Sequence, residues 1–420
     1  MKTNKTKQIN RNSGETLIAT VDVSKNELTA YWRCTGGQET KPFKITNNYE
    51  GLSKFWHLLI AAANRHRVEE IIVGFESTGV YGGPVGNFMK SKPVKLVQIN
   101  PMHTKKMKEI TDNSPGKTDR KDPRVIADII QLGHYLSLIT PEGPAAELRE
   151  LTHARESQMT HQTALTNRLE ALMFKIFPEF VQSMNSLSTK TSRYLMEHYP
   201  TPEQLKEASL EELTREIRKI SRGKLGKSTA QQLLEASEHS LGTKEGQSSI
   251  LLEIGHILAQ LDETERFVSV LEQKMADELS KIPYHKNLLS IKGLGIVTVG
   301  GVIGEVADFR NYRTQSEIVK LAGLDLYEVS SGKHKGTRRI SKRGRSLLRK
   351  LLYFASLNVV RRGGILHDYY QRLLGRGMRK PKALVAVSRK LLQIMFAIVR
   401  DGTEYIENHK PTSFVLEAVA

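Results

Sequence analysis

At 420 residues the chain is too long for one compact core, and it predicts two or three domains at roughly 100–200 residues each. A hydrophobic content of 39% with 26% charged residues excludes global disorder, and 63 Lys and Arg against 45 Asp and Glu leave a net charge of +18 that favours a polyanionic partner. One cysteine, Cys34, excludes an internal disulfide framework and a cysteine-based zinc site. Residues 1–15 read as a flexible basic N-terminus without an apolar centre. No stretch approaches the roughly 20 apolar residues of a membrane span, so the expectation is a cytoplasmic protein with no membrane partner.

From Thr16 the pattern is β-like. Thr16–Val23 is an apolar run, Glu27–Cys34 alternates, and Lys41–Thr46 makes a third short strand. A helix follows from Glu50 to about Arg65, then a buried strand at Glu70–Glu76, a helix near Val85–Met89 and a strand at Val94–Ile99. Meander, helix, strand, helix, strand is the order of an RNase H-like α/β domain, with strands one and four side by side, here over residues 16–140. Pro141 and Pro144 then break the chain, and residues 141–287 read as a helical coiled-coil region. Its arms, about Ala145–Phe174 and Ser248–Lys281, have near-helical apolar spacing, the second carrying Leu251, Ile254, Ile257, Leu258, Leu261 and Phe267. They read as an antiparallel hairpin or coiled coil, with ordinary bundle helices or a dimerising coiled coil left open. A polar, helix-prone insertion at 181–247 lies between them and ends in a flexible Gly/Ser/Lys stretch. Residues 288–402 form a mainly helical, basic, glycine-punctuated region, and 403–420 a tail.

Four acids stand out. Asp22 interrupts the apolar run Ala-Thr-Val-Asp-Val at the end of the first strand, and Glu76 repeats the pattern after Ile-Ile-Val-Gly-Phe. A buried carboxylate must be paired or bind a metal, and if strands one and four are neighbours both acids emerge at one sheet edge. Asp119 and Asp122 follow in Gly-Lys-Thr-Asp-Arg-Lys-Asp, three residues apart and on one face of a helical turn. Four hard oxygen donors suit one or two Mg²⁺ ions, and paired metals roughly 3.5–4 Å apart serve phosphoryl transfer. Asp122 has a second reading: Asp followed by Pro123 is a helix start, with the aspartate as N-cap.

In the basic region, Ile291-Lys-Gly293-Leu-Gly295 reads as a glycine hairpin between two helices, either a helix-hairpin-helix contact to phosphate or a glycine-ended helix packing on its neighbour. Further on, Ser330-Ser331-Gly332-Lys333-His334-Lys335-Gly336-Thr337-Arg338-Arg339-Ile340-Ser341-Lys342-Arg343-Gly344 lies in a stretch with no acid between Glu328 and Asp368. Lys333, Lys335, Arg338, Arg339, Lys342 and Arg343 read as phosphate contacts. The serines there sit among abundant cations with no evident base, so the residues alone make them phosphate ligands.

The whole set resembles the DEDD transposases of bacterial insertion sequences. Asp22, Glu76 within Glu-Ser-Thr-Gly-Val-Tyr and Lys117-Thr-Asp-Arg-Lys-Asp122 match its RuvC-like N-terminal domain. Gly293-Leu-Gly295, Leu321-Ala-Gly-Leu324, Ser330-Ser-Gly332, Ile340-Ser-Lys-Arg-Gly344, Leu348-Arg349 and Ala383–Leu392 match its C-terminal domain. The resemblance covers about 16–137 and 288–402. It implies a nucleoid-associated bacterial recombinase that joins donor and target double-stranded DNA with a structured non-coding bridge RNA as guide. It also implies that a serine attacks DNA to form a phosphoserine link, Ser331 being the choice and Ser330 the close alternative, while the carboxylates hold Mg²⁺. Arg349 joins the nucleic-acid contacts, and a homodimer or tetramer is expected because two duplexes must be held together. The sequence departs from the family at Pro123, where a small residue is usual, and in the longer 181–247 insertion. Rival readings are a Holliday-junction-type metal-dependent nuclease using water, a non-enzymatic helix-hairpin-helix binding protein, and an actin-like kinase. The kinase lacks support, because Val-Ser-Lys-Asn rather than a glycine-rich loop follows Asp22.

Overall fold

The computed structural model describes residues 15–76, 80–112, 122–137, 140–328, 336 and 338–407. It divides into two compact units, Met1–Ile139 and Thr140–Ala420.

In the first unit β1 (Thr16–Val23), β2 (Glu27–Cys34) and β3 (Phe43–Thr46) form the antiparallel meander, Val21 lying opposite Ala30 and Leu28 opposite Ile45. After α1 (Tyr49–Arg65), β4 (Glu70–Glu76) returns parallel to β1 as its direct neighbour. α2 (Gly83–Lys90) leads to β5 (Lys95–Ile99), parallel to β4. α3 (Pro101–Asp112), α4 (Asp122–Gln131) and a two-residue edge strand β6 (Leu136–Ser137) complete the unit, with strand order β3-β2-β1-β4-β5-β6 among the described residues. Strands one and four are thus side by side, as expected from their order in the sequence.

The apolar run of β1 is explained by its central place: Leu17 through Val21 are fully buried, covered on both faces. Leu17, Ala19 and Val21 face Phe55, Leu59, Val85 and Met89, carried by α1 and α2, whereas Ile18 joins Ile72, Val97 and Ile99 against Val125, Ile126 and Ile130 of α4. The alternation of side chains therefore assigns the even residues of β1 and β4 to the α4 side. At the start of α1 the Asn48 side chain accepts the Gly51 N–H at 2.8 Å, and a Cβ on Gly51 would fall 2.2 Å from the Thr46 carbonyl oxygen. The third strand starts at Phe43, because Thr40 instead donates its N–H to the Trp32 carbonyl at 3.0 Å. α3 lacks the apolar stripe that marks a helix in sequence; Pro101 at its first position and Asn100, which accepts the Met102 N–H, start it.

The second unit begins with α5 (Pro144–Ile176), followed by α6 (Pro178–Ser183), α7 (Lys190–His198), α8 (Pro202–Lys206), α9 (Leu210–Ile220) and α10 (Lys227–Glu238), and then α11 (Gln247–Ser280). α5 and α11 pack antiparallel on each other, with Arg155 on Glu272 at 2.8 Å near one end and Arg168 on both carboxylate oxygens of Glu253 at 2.8 and 3.1 Å near the other. The hairpin reading of the arms holds, although Phe267, expected on the apolar seam, is 43% exposed. The insertion is a packed helical cap: Leu187, Leu195, Leu213, Ile217 and Leu233 share one core with Leu169, Ile254 and Leu258 of the arms. Its apolar residues are spread singly over short helices, so no long periodicity announces the core.

The rest is α12 (His285–Leu289), α13 (Ile296–Val306), α14 (Gln315–Leu321), a ribbon of β7 (Leu326–Tyr327) and β8 (Arg339–Ile340), then α15 (Ser346–Val359), α16 (His367–Gly375) and α17 (Lys380–Asp401). The segment Ala383–Leu392 lies inside α17, which packs on α15. Among the described residues no helix is long and apolar enough to cross a membrane.

Candidate functional site

In the first unit the parallel register sets Val21 of β1 against Phe75 of β4, so one residue further Asp22 stands beside Glu76. Asp22 also faces Thr29 of β2, and Glu76 faces Ile99 of β5. Both acids are half-buried, at the carboxyl ends of adjacent parallel strands, and both have the side-chain parity of the α4 face. The buried Thr20 hydroxyl donates to the Pro123 carbonyl at 2.7 Å, which ties the first turn of α4 to β1 two residues before Asp22. Gly74 admits the helix onto β4, since a Cβ there would lie 2.3 Å from Ile130 Cδ1. Asp122 opens α4, the helix packed on β1 and β4, at 3% exposure.

Two neighbouring carboxylates repel, and taking a third out of water is costly without a counter-charge. Lys108 of α3 supplies one, its Nζ 2.5 Å from Asp122 Oδ1, with the lysine side chain only 18% exposed. Asp122 Oδ1 is buried, and among the described residues no hydrogen bond is made to it. Carboxylate oxygens with one such atom fit a hard divalent ion in chemistry. Among the described residues no three His, Cys, Asp or Glu side chains are grouped to hold a metal, and Asp119 lies outside the described residues.

In the second unit the motifs of the basic region prove to be two sides of one ladder. Beyond the pairs Tyr327–Arg339 and Leu326–Ile340, the Ser341 N–H bonds to the Asp325 carbonyl at 2.9 Å, the Lys342 N–H to Gly323 at 3.0 Å and the Arg345 N–H to Leu321 at 2.8 Å. Arg338 Nε pairs with Glu328 at 2.9 Å. The residues flanking the Ser-Ser-Gly sequence on either side are thereby held together; Ser330, Ser331, Lys333 and Lys335 themselves lie outside the described residues. Gly344 is required by closeness, because a Cβ would sit 2.3 Å from the Leu321 carbonyl oxygen. Gly323 adopts φ +63, in the left-handed region that favours glycine.

Arg338, Arg339, Lys342 and Arg343 are exposed around this ribbon. A cleft of about 310 Å³ at its base is lined by Leu324, Ile340, Lys342, Arg349, Lys350 and Tyr353, among others. Arg349 is half-buried, donates Nη1–H to the Ala322 carbonyl at 2.9 Å, and has its guanidinium pKa lowered by burial; it braces the ladder. Gly293, at φ +97, and Gly295, which precedes α13, form the exposed turn between α12 and α13.

Sequence reasoning missed the charges behind this ribbon. Glu305 is 2% exposed in α13, with His153 Nε2 at 2.8 Å and Arg149 Nη1 at 3.6 Å on its carboxylate, while Arg345 donates to its backbone carbonyl. Burial, then repulsion by Arg149, lowers the Arg345 pKa, and the Glu305 charge opposes this. The signal was available as the one acid in the apolar, glycine-rich helix Ile-Val-Thr-Val-Gly-Gly-Val-Ile-Gly-Glu-Val.

Comparison with known proteins finds two family matches. An IS110-type DEDD model described as a transposase matches residues 19–178, and a model described as the transposase IS116/IS110/IS902 family matches residues 285–371. The chain is 26% identical to the 44.8 kDa protein of insertion element IS116 from Streptomyces clavuligerus, over 68% of this chain and 72% of that one. It is 25% identical to the 43.6 kDa protein of insertion element IS110 from Streptomyces coelicolor, over 74% and 78% respectively. Over 36% of its length it is 27% identical to the transposase for insertion sequence element IS1328 of Yersinia enterocolitica, covering 44% of that protein.

Proposed function

The chain belongs to the IS110 family of DEDD insertion-sequence transposases, enzymes of DNA strand transfer, and from that premise we propose that it exchanges donor and target duplexes under RNA guidance through a covalent serine–DNA link. The observation that carries the reading is the adjacency of Asp22 and Glu76 at the ends of parallel strands, with buried Asp122 opening the helix over the same face. The strand order supports an RNase H-like, RuvC-like domain, and the glycine turn between two helices supports a helix-hairpin-helix contact at Gly293 and Gly295.

In this reading Asp22, Glu76, Asp119 and Asp122 hold one or two Mg²⁺ ions. When bound, the metal supplies charge neutralisation at the phosphate under attack. Ser331 Oγ forms the bond to phosphorus while the bond from phosphorus to a deoxyribose oxygen breaks, and the serine proton ends on that leaving oxygen. A second DNA end then displaces the serine, so the phosphodiester count is conserved and no water is consumed. Exposed Arg338, Arg339, Lys342 and Arg343, with Lys333 and Lys335, neutralise the backbone around the serine. Arg349 acts from beneath by bracing the ladder. Holding two duplexes calls for a dimer or tetramer.

The test is to incubate the protein with the non-coding transcript flanking its gene and with donor and target duplexes. Recombinant product that requires the transcript, and changes target when its pairing segment is rewritten, is the expected result. Equal product without RNA removes the guidance step.

A further inference from the structure

The insertion cap has a polarity that folding alone does not explain. The turn from α9 to α10 collects Arg215, Arg218, Lys219, Arg222, Lys224 and Lys227, all exposed, with Glu216 the one acid between residues 215 and 228. Three other cations of the cap are neutralised: Lys206 pairs with Glu238 at 3.7 Å, Lys244 with Glu203 at 2.8 Å, and Arg193 with Asp262 at 3.1 Å and Glu265 at 2.5 Å. Among the described residues no ion pair joins any of the six turn cations to an acid.

The turn is a built structure. The Gly223 N–H closes on the Arg218 carbonyl at 2.8 Å, and Ser221 Oγ accepts the Leu225 N–H at 3.0 Å. Leu210 and Leu225 pack on the cap's core, so the charges ride on an anchored base. Arg222 and Gly223 are both left-handed, at φ 54 and 78.

Arg218 and Lys219 sit in the last turn of α9, where cations complement the helix dipole. Lys224 and Lys227 do the reverse: Lys227 is the first residue of α10, a helix with no acid in its first turn and no side-chain cap, so positive charge is set at a positive pole. An anion from outside the chain would relieve that arrangement. A cleft of about 460 Å³ opens beside it, lined by Leu210, Glu211, Thr214, Arg215, Arg218 and Lys227, with Glu211 the one acid in the lining.

We propose that the α9–α10 turn grips the phosphodiester backbone of duplex DNA without reading its sequence, as an anchor additional to the carboxylates and the serine ribbon. The proposal rests on membership of a DNA strand-transfer family and on neither the serine link nor the RNA guide. Duplex DNA is the occupant because no aromatic residue occurs between Arg215 and Ser228, so the turn lacks the stacking surface by which looped RNA bases are held. Closely spaced cations and free backbone N–H groups match a continuous phosphate strand.

The test is a titration of the full chain with a duplex of arbitrary sequence, followed by fluorescence anisotropy between roughly 50 and 200 mM salt. The triple variant Arg222→Gln/Lys224→Gln/Lys227→Gln is expected to bind at least about tenfold more weakly and to lower the salt slope by about 2–3. Lys224→Gln alone, at an exposed position, lowers the slope by about 1. The charge-retaining Arg222→Lys/Lys224→Arg/Lys227→Arg binds as wild type, and so does Lys206→Gln/Lys244→Gln, which removes only paired cations. An unchanged slope in Lys224→Gln and in a cooperatively melting triple variant overturns the proposal. So does a loss seen only with a structured RNA probe. If duplex affinity falls as expected while the wild type forms no serine adduct, the anchor stands and the catalytic reading fails; the opposite pair of results separates them the other way.

Discussion

Asp22 and Glu76 belong to parallel strands whose register, carried one residue past Val21 and Phe75, sets the two carboxylates side by side. Each stands at the end of a buried apolar run. Asp22→Asn and Glu76→Gln keep shape and remove charge, so each is expected to reduce strand transfer at least about a hundredfold with an unchanged circular dichroism melt. A variant that retains strand transfer excludes its carboxylate from the site.

Lys108 holds the place of a cation against Asp122, which is 3% exposed. Lys108→Ala leaves that charge buried without its partner and is expected to cost about 3 kcal/mol in denaturant unfolding. If Asp122 is a metal ligand, millimolar Mg²⁺ raises the melting temperature of Lys108→Ala more than that of wild type. An equal shift in both proteins counts against Asp122 as a ligand.

The Glu305 carboxylate is held by His153 and Arg149, and Arg345 bonds to the same residue's backbone. Glu305→Ala leaves the half-buried Arg149 without its carboxylate, and an unfolding loss of about 3 kcal/mol is expected. His153, whose side chain is 47% exposed, contributes less, and His153→Ala is expected to cost about 1–2 kcal/mol. Equal losses at the two positions would refute this ranking.

A pH signature belongs to the cap. Glu179 accepts the Ser240 hydroxyl at 2.6 Å and the Leu241 N–H at 3.0 Å; burial pushes its pKa up, but these bonds outweigh it and hold the group below the ordinary carboxylate range. A depressed folded pKa contributes stability above the unfolded value, near about 4.3, and that stability is lost as pH falls through the folded value. The melting difference between wild type and Glu179→Gln therefore shrinks as pH falls through and below about 4. A difference constant with pH rules out Glu179 as the titrating closure.

What could be read from sequence follows from how each element is stabilised. β1 and β4 are apolar over their whole length because both faces are covered, and the acids that end them are conspicuous for that reason. The long arms show helical spacing over many turns. α3 was missed because it buries little, and the cap's core was missed because five short helices each contribute only a few apolar residues. Leu321–Leu324 and Ile340–Gly344 were legible as motifs but not as partners, since backbone hydrogen bonds between distant segments leave no periodic trace. Arg349, a nucleic-acid contact by the family resemblance alone, donates to the Ala322 carbonyl from a half-buried position, a bond that no sequence pattern announces.

The central claim is that a serine of the Ser330-Ser331-Gly332 sequence forms the bond to DNA. It is tested by incubating the protein with end-labelled donor duplex, guide transcript and Mg²⁺, then resolving the products on a denaturing gel. A labelled protein–DNA adduct is predicted in wild type and in Ser330→Ala, absent in Ser331→Ala and strongly reduced in Asp22→Asn. An adduct that persists when both serines are alanine contradicts the account.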